Sequence, residues 1–441
     1  MNTVLSLAEY MSYVKTYHPL IKQANLVVTD AESQLLQARG AFDPKIEVDY
    51  NHKTFKNTEY YDKLNAAFKI PTWFGIELKG QIEQNEGVYL NPENNVPIDG
   101  LYNLGISIPL AKGLLTNKRM AMLKQSKVYI DQSKETQKLL VNNTLYNAIV
   151  AYFDWLRFYN ESQIYLDYLN NASQRFEGIK QNYFEGQAAA IDTTEAHIAI
   201  LNRKQEFENA QLKLKKAQLK LSNYLWIQNT PVELSELMIP DTNTLDVLDR
   251  SLNLETNSDI NINSHPKIQA LQLKQQHLEI ERRLQKNNLL PTINFNYNFL
   301  TETPNQLNSL NIDDYKLGLQ VSIPLFLRKE RGKFQLVNNK IQSNKLDLET
   351  EKVNLKTKIS AIQEEINSYS NQYGFSLQMV NSYKKLLQAE ERKYQIGESS
   401  IFLINSRESK LINVQLKVLE LNYKLMHSKA KMFNSTIFNN S

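Results

Sequence analysis

With 441 residues the chain has room for two or three ordinary domains. It carries only 13 glycines and 12 prolines, while Leu, Lys, Gln, Asn and Glu fill long stretches as they do in long helices. A net charge of +4 with both signs interspersed offers no basic face for nucleic acid, and the absence of cysteine excludes thiolate zinc sites, thiol catalysis, disulfides and a cysteine-linked lipid anchor.

No run of 18 apolar residues is present to cross a bilayer as a helix. Residues 1–10 also lack the basic and apolar regions of a secretory signal. The chain is therefore expected to be either cytoplasmic or a mature exported chain whose signal has been removed, and its alternating strand segments favour the second.

Residues 5–14 read as a short amphipathic entry. His18-Pro19 then opens a helix, because proline is pre-set for the first helical position and the residue before it avoids helix. That helix is expected to run to about Arg39, with Pro44 opening the next segment. His265-Pro266 opens a second such helix ending near Asn288, and Pro291 comes after it. Pro19 to Pro44 and Pro266 to Pro291 are both 25 residues, so the chain is internally duplicated. Residues 1–226 form the first repeat, 227–264 a polar connector broken by Pro231 and Pro240, and 265–441 the second repeat.

After Pro44 the period changes to two. Ile46, Val48 and Tyr50 alternate with polar residues, as do Ile293, Phe295, Tyr297 and Phe299 after Pro291, so each run predicts a strand with one apolar and one polar face. The closing strands also match, Ile106-Ser107-Ile108-Pro109-Leu110 against Val321-Ser322-Ile323-Pro324-Leu325. Pro44 to Pro109 is 65 residues and Pro291 to Pro324 only 33, an excess of 32. Two further alternating runs, 63–70 and 75–83, fill that excess as an extra β-hairpin. A short joint at 71–74 with long connections at 55–62 and 84–100 is the asymmetry of an outer-membrane barrel.

Long helices come next. Pro109 to Gly186 is 77 residues and Pro324 to Gly397 is 73; at about 1.5 Å per residue each predicts a rod on the order of 100 Å. Gly186 and Gly397 end these rods in closely similar turns, aromatic residues Tyr183 and Tyr394 standing three positions before them. The return helices carry seam residues at alternating three and four (Phe207, Ala210, Leu214, Ala217, Leu221) or every seven (Ile404, Leu411, Val418, Leu425), which is coiled-coil packing. Asp192-Thr193-Thr194-Glu195 reads as a capping box at the first return helix.

The six histidines never fall at i, i+3 or i, i+4, so no helical metal pair is expected. No Ser-His-Asp cluster, P-loop or dinucleotide glycine pattern is present. Neither an enzyme nor a cofactor is expected.

On its proline-bounded helix-to-strand joints, its Ser-Ile-Pro-Leu strand exits and its glycine-centred tips, the chain resembles the TolC-like outer-membrane efflux protein family over nearly its whole length. The resemblance implies a mainly α fold with β: internally duplicated long α-helical hairpins plus transmembrane strands, in a shared trimeric α-barrel and β-barrel conduit. It implies an outer-membrane homotrimer with a periplasmic helical barrel. The tips (Gly186, Gln187, Asp192, Gly397, Glu398, Ser399) would meet a periplasmic adaptor protein, and through it an inner-membrane pump of RND or ABC type. Ile46, Val48, Tyr50, Ile293, Phe295, Tyr297 and Phe299 would face outer-membrane lipid. The family's second tip carries an acid where Leu403 stands here, so Leu403 and Ser406 are the candidates for a pore constriction without an acid ring. Four strands per protomer, giving twelve, is usual in the family; six would give eighteen unless the extra hairpin projects outside the wall. The alternative, from a different class, is a soluble coiled-coil scaffold or tether, for which lipid-facing strands have no use.

Overall fold

The computed structural model describes residues 3–235, 237–252, 254, 261–305 and 311–436. The chain opens with a short strand, β1 (Thr3–Leu5), and helix α1 (Leu7–Tyr17), which buries Leu7, Tyr10 and Val14 on one stripe. Helix α2 (Pro19–Gly40) follows with Pro19 at its first position. His18 does more than precede the proline: its ring Nδ1 accepts the Leu20 N–H at 3.2 Å, so histidine is the cap. The second repeat does the same, His265 Nδ1 accepting the Lys267 N–H at 3.2 Å.

Four strands come next: β2 (Lys45–Phe55), β3 (Thr58–Pro71), β4 (Glu77–Glu86) and β5 (Leu101–Pro109). The connection expected to be long at 55–62 is instead a two-residue turn. Lys56 and Asn57 both take positive φ, 51° and 57°, as a type I′ hairpin requires, and Phe55 pairs with Thr58. The long connection at 87–100 stands.

Helix α3 (Lys118–Phe184) has 67 residues. It starts later than the proline spacing suggested, because residues 110–117 bend and Asn117 caps the helix, its Oδ1 accepting the Met120 N–H at 2.8 Å. Helix α4 (Ala190–Ser222) returns. The segment read as an irregular connector holds two-residue strands β6 (Trp226–Ile227) and β7 (Thr230–Pro231), strand β8 (Met238–Pro240), which pairs in parallel with β1, and helix α5 (Thr244–Ser251). The second repeat supplies α6 (Pro266–Asn287), β9 (Thr292–Thr301), β10 (Tyr315–Ser322), the 68-residue α7 (Arg328–Gln395) and α8 (Ile401–Ser435).

Two compact units cut across the sequence repeats. One comprises Met1–Leu26, Gln137–Ile268 and Glu351–Ser441; the other comprises Val27–Thr136 and Gln269–Thr350. The first unit has its core around α3, where Ile149, Tyr152, Phe153 and Trp155 are fully buried with Tyr10, Leu221 and Leu248. The Tyr152 hydroxyl donates to the Leu5 carbonyl at 2.8 Å and accepts the Asp241 N–H at 3.2 Å, tying β1 and the connector to the helix. Burial pushes that hydroxyl up to about 12.

The second unit holds one six-stranded antiparallel sheet in the order β2-β3-β4-β5-β9-β10. Its helical segments are bonded to each other and to the strand ends. Asn344 Nδ2 donates to the Leu271 carbonyl at 3.0 Å, the Gly113 N–H donates to Asn287 Oδ1 at 2.9 Å, and the Leu110 N–H donates to the Ile293 carbonyl at 2.7 Å.

Candidate functional site

Two features carry chemistry: the faces of the sheet and the helical tips. Strand side chains alternate, so register decides which residues share a face. Ile46 stands opposite Phe68, Phe68 opposite Gly80, Gly80 opposite Leu104, Leu104 opposite Phe299 and Phe299 opposite Tyr315. That single row crosses all six strands, and its neighbour runs Ile70, Leu78, Ile106, Tyr297, Leu317. The seven predicted lipid-facing residues, on β2 and β9, therefore lie on one apolar face. Much of it is uncovered, Ile46 being 75% exposed and Leu319 61%. Tyr297 stacks on Tyr315 with centroids 5.5 Å apart. On β10, Leu317 and Leu319 escaped the reading of the sequence, and Val321 was read there as part of a closing strand but not as a member of the apolar face.

The opposite face is mostly polar, with Ala67, Leu101 and Leu300 among its apolar members. A row of Lys45, Lys69, Lys79, Gly105, Asn298 and Lys316 crosses it. Glu47 pairs with Lys69 at 2.5 Å, and Glu83 Oε1 accepts from Gln81 at 2.8 Å and from Asn103 at 3.4 Å. Four lysines in one row repel unless water surrounds them. Beyond Tyr50, on the Ile46 side of the sheet, His52 and Asp62 stand opposite each other and come with Glu59 within 4.8 Å, a grouping made by cross-strand pairing and not by helical spacing. Asp62 there already accepts the Tyr50 hydroxyl at 2.7 Å and lies 3.4 Å from His52.

At the tips both helices end in a Schellman motif. The Gly186 N–H donates to the Tyr183 carbonyl at 3.0 Å and the Gln187 N–H to the Asn182 carbonyl at 2.7 Å. The second tip repeats this, Gly397 to Tyr394 at 3.0 Å and Glu398 to Lys393 at 2.8 Å. Gly186 and Gly397 have φ of +78° and +79°, the left-handed conformation that glycine adopts without strain.

Asp192 is not the N-cap. Ala189 occupies that place with no side-chain acceptor, and Asp192, three residues on, accepts the Ala189 N–H at 3.3 Å. Only the returning half of a capping box exists, and it involves Ala189 and Asp192 in place of Asp192 and Glu195. At the second tip Ser400 is the cap and accepts the Leu403 N–H at 3.4 Å. Ser399 is turned inward: its hydroxyl donates to Glu390 Oε1 at 2.6 Å, and Arg407 lies 3.3 Å from Oε2. The Ser399 bond, then Arg407, hold the Glu390 carboxyl below the usual carboxylate range. Leu403 is exposed and Ser406 half-buried on the first turns of α8.

Residues from all four long helices meet near the tips. Ile401 is buried against Ile179 and Ala196, with Tyr394 and Phe176 beside them. Deeper in, Arg175 donates to Glu408 at 2.9 Å while Arg203 approaches its other oxygen at 3.5 Å. The tips also present apolar side chains that the sequence reading left aside: Phe184, Ile191, Ile396 and Phe402 are 63–75% exposed. Ile191 and Phe402 each stand five residues after their tip glycine, which is the signal that could have found them.

Residues 259–435 match the family model described as outer membrane efflux protein. No curated protein matches the chain significantly. Among solved structures, the fold is shared with CusC at TM-score 0.71 and 13% identity, over 99% of this chain and 93% of that one. The Campylobacter jejuni CmeC outer membrane channel gives 0.68 and 13%, over 99% and 87%. The outer membrane protein VceC of Vibrio cholerae gives 0.69 and 12%, over 99% and 97%. At such identities the likeness is one of fold.

Proposed function

From the premise that residues 259–435 belong to the outer membrane efflux protein family, we propose that the chain is one protomer of a passive trimeric export duct. The sheet would line the outer membrane, the helical hairpins would lie in the periplasm, and a periplasmic adaptor would seat on the tips and link the duct to an inner-membrane pump. The observation that carries the reading is the two-faced sheet with two open edges. Among the described residues each of β2 and β10 has a single partner strand. An open edge in hydrocarbon leaves backbone N–H and C=O groups unsatisfied, so other copies must close it, and cyclic symmetry is the ordinary way. An apolar outer face and a polar lumen alternating along each strand is the pattern of an outer-membrane barrel. A soluble scaffold would leave the same apolar rows in water.

The tips fit the docking role. Gln187 and Glu398 are exposed beside left-handed glycines, and the exposed apolar residues around them offer a partner area to bury. Leu403 and Ser406 would line the resting constriction, without an acid ring. The cargo would be small molecules or secreted protein, chosen upstream by the pump. The test uses the absence of native cysteine: single cysteines at Gln187 and Glu398 are crosslinked in cells exporting cargo, and the purified protein is weighed in its native state. A trimer in membranes and a crosslink to a periplasmic partner are expected. A soluble monomer would end the duct reading, and trimers whose tips crosslink to nothing would end the docking role.

A further inference from the structure

We infer that the hairpin β3–β4 is part of the membrane wall and not an appendage outside it, so that three copies close a barrel of eighteen strands, six from each. The inference deepens the duct reading and rests on it.

Three observations carry it. The hairpin is paired on both sides: β3 with β2 from Lys45 to Phe55, and β4 with β5 from Glu77 to Glu83. Without it β2 has no link to the rest of the sheet. Its strands are also long enough, β3 having 14 residues and β4 having 10, where a tilted membrane strand needs about 9–11. Finally, its faces continue those of the other strands. Phe68, Ile70 and Leu78 extend the apolar rows that reach Tyr297, Phe299 and Leu317, Ile82 lies on the same face in the row Val48, Ala66, Ile82, Tyr102, and Phe68 is 45% exposed. Lys69, Lys79 and Gln81 extend the polar face. The occupant that suits an apolar surface continuous across six strands is the hydrocarbon of the bilayer. A hairpin projecting into water would expose those rows and interrupt the lysine row.

The consequence concerns what can pass. Barrel diameter grows roughly linearly with strand number, so eighteen strands give about 1.5 times the width that twelve would, in the range where the lumen is an aqueous channel and not a side-chain-filled core. The barrel would then admit bulky hydrated cargo and leave size selection to the tips.

Because the chain has no cysteine, single-site labelling is clean. A polarity-sensitive fluorophore is attached to cysteines replacing Phe68 or Ile82 (apolar face of the hairpin), Asn65 or Gln81 (polar face), and Phe295 or Asn296 on β9 as reference. Trimers in liposomes are then quenched with a nitroxide lipid or with aqueous iodide. Positions 68 and 82 should follow 295, quenched several-fold more by the lipid, while 65 and 81 should follow 296. If 295 and 296 separate but the hairpin positions all respond to iodide alone, the hairpin lies outside the wall and the inference fails. If 295 and 296 do not separate, the sheet is not in the membrane and the duct reading itself fails.

Discussion

Arg175 of α3 and Glu408 of α8 form an ion pair at 2.9 Å, and each stands 11 residues from the glycine of its own tip. Glu408 is 1% exposed and Arg203, 3.5 Å from its second oxygen, is 7% exposed. The duplicated sequence therefore meets itself in a buried charge cluster that joins α3, α4 and α8. Taking such ions out of water costs several kcal/mol each, offset only while they remain paired.

Removing one partner should accordingly be worse than removing all three. Glu408→Ala takes the shared carboxylate from buried Arg203, left with Glu206 and Ser409, and from half-buried Arg175, left with Asn405 and Glu391, and should cost at most about 3–5 kcal/mol. Replacing Arg175, Arg203 and Glu408 together by Met should be close to neutral or stabilising. Hydrogen exchange of residues 170–184 and 401–412 reads this directly. Unchanged protection in Glu408→Ala would show that the pair holds nothing.

The capping histidines predict a pH dependence. Burial, then the charges of Lys358 and Lys267, lowers His265 from 6.5 to about 4, and burial lowers His18 as well. Between those values the unfolded chain holds a proton that folded His265 refuses, so stability rises with pH across the window. It is fully present above 6.5 and is lost as pH falls toward 4, by at most about 1.4 kcal/mol per unit. His265→Asn keeps an acceptor for the Lys267 N–H and should flatten this dependence. Denaturant midpoints at pH 7 and pH 5 for both forms test it; identical slopes would refute the histidine's part.

The features legible in the sequence were those set by local chemistry. Pro19, Pro266, Gly186 and Gly397 act through their own backbone, and alternation in β2 and β9 records the strand period. The Lys56-Asn57 turn was missed because it has no glycine, although asparagine tolerates positive φ. His18 and His265 were recognised as helix openings but not as caps, since their role depends on a ring nitrogen reaching Leu20 or Lys267. The cap of α4 was misplaced onto Asp192 because Ala189 offers no side chain to recognise. Pairings such as Ile106 with Tyr297, and the Arg175–Glu408 contact, join residues about two hundred positions apart, which no local pattern encodes.

Substitutions at the tip glycines should separate backbone strain from crowding. A Cβ built at Gly186 or Gly397 meets nothing within 4 Å, so only the positive φ resists replacement. Gly186→Val and Gly397→Val should distort the tips and stop export while trimers still form. Gly186→Asn, which accepts the left-handed conformation, should restore export. Equal failure of Asn and Val would mean that the glycine is needed for contact with a partner and not for the turn. Asp192→Ala removes only the bond to the Ala189 N–H and should cost about 1 kcal/mol locally; a larger loss of export would mark Asp192 as a docking contact.

The sheet can be tested by one pair of neighbours on β9. Phe295 lies opposite Ile108 and Leu319, all on the apolar face, whereas Asn296 lies opposite Ser107 and Gly318 on the polar face. Arginine at 295 would have to sit in hydrocarbon, at a cost of about 2–4 kcal/mol near the midplane. At 296 it would enter water, with a serine and a glycine beside it leaving room for a long side chain. Phe295→Arg should therefore deplete heat-modifiable trimers on gels, and Asn296→Arg should assemble nearly as the parent does. Tyr297→Arg, back on the apolar face, should repeat the loss. The sign must alternate with position: a uniform loss at 295, 296 and 297 would mean that β9 responds to bulk alone, and the assignment of one face to lipid and the other to the lumen would fall.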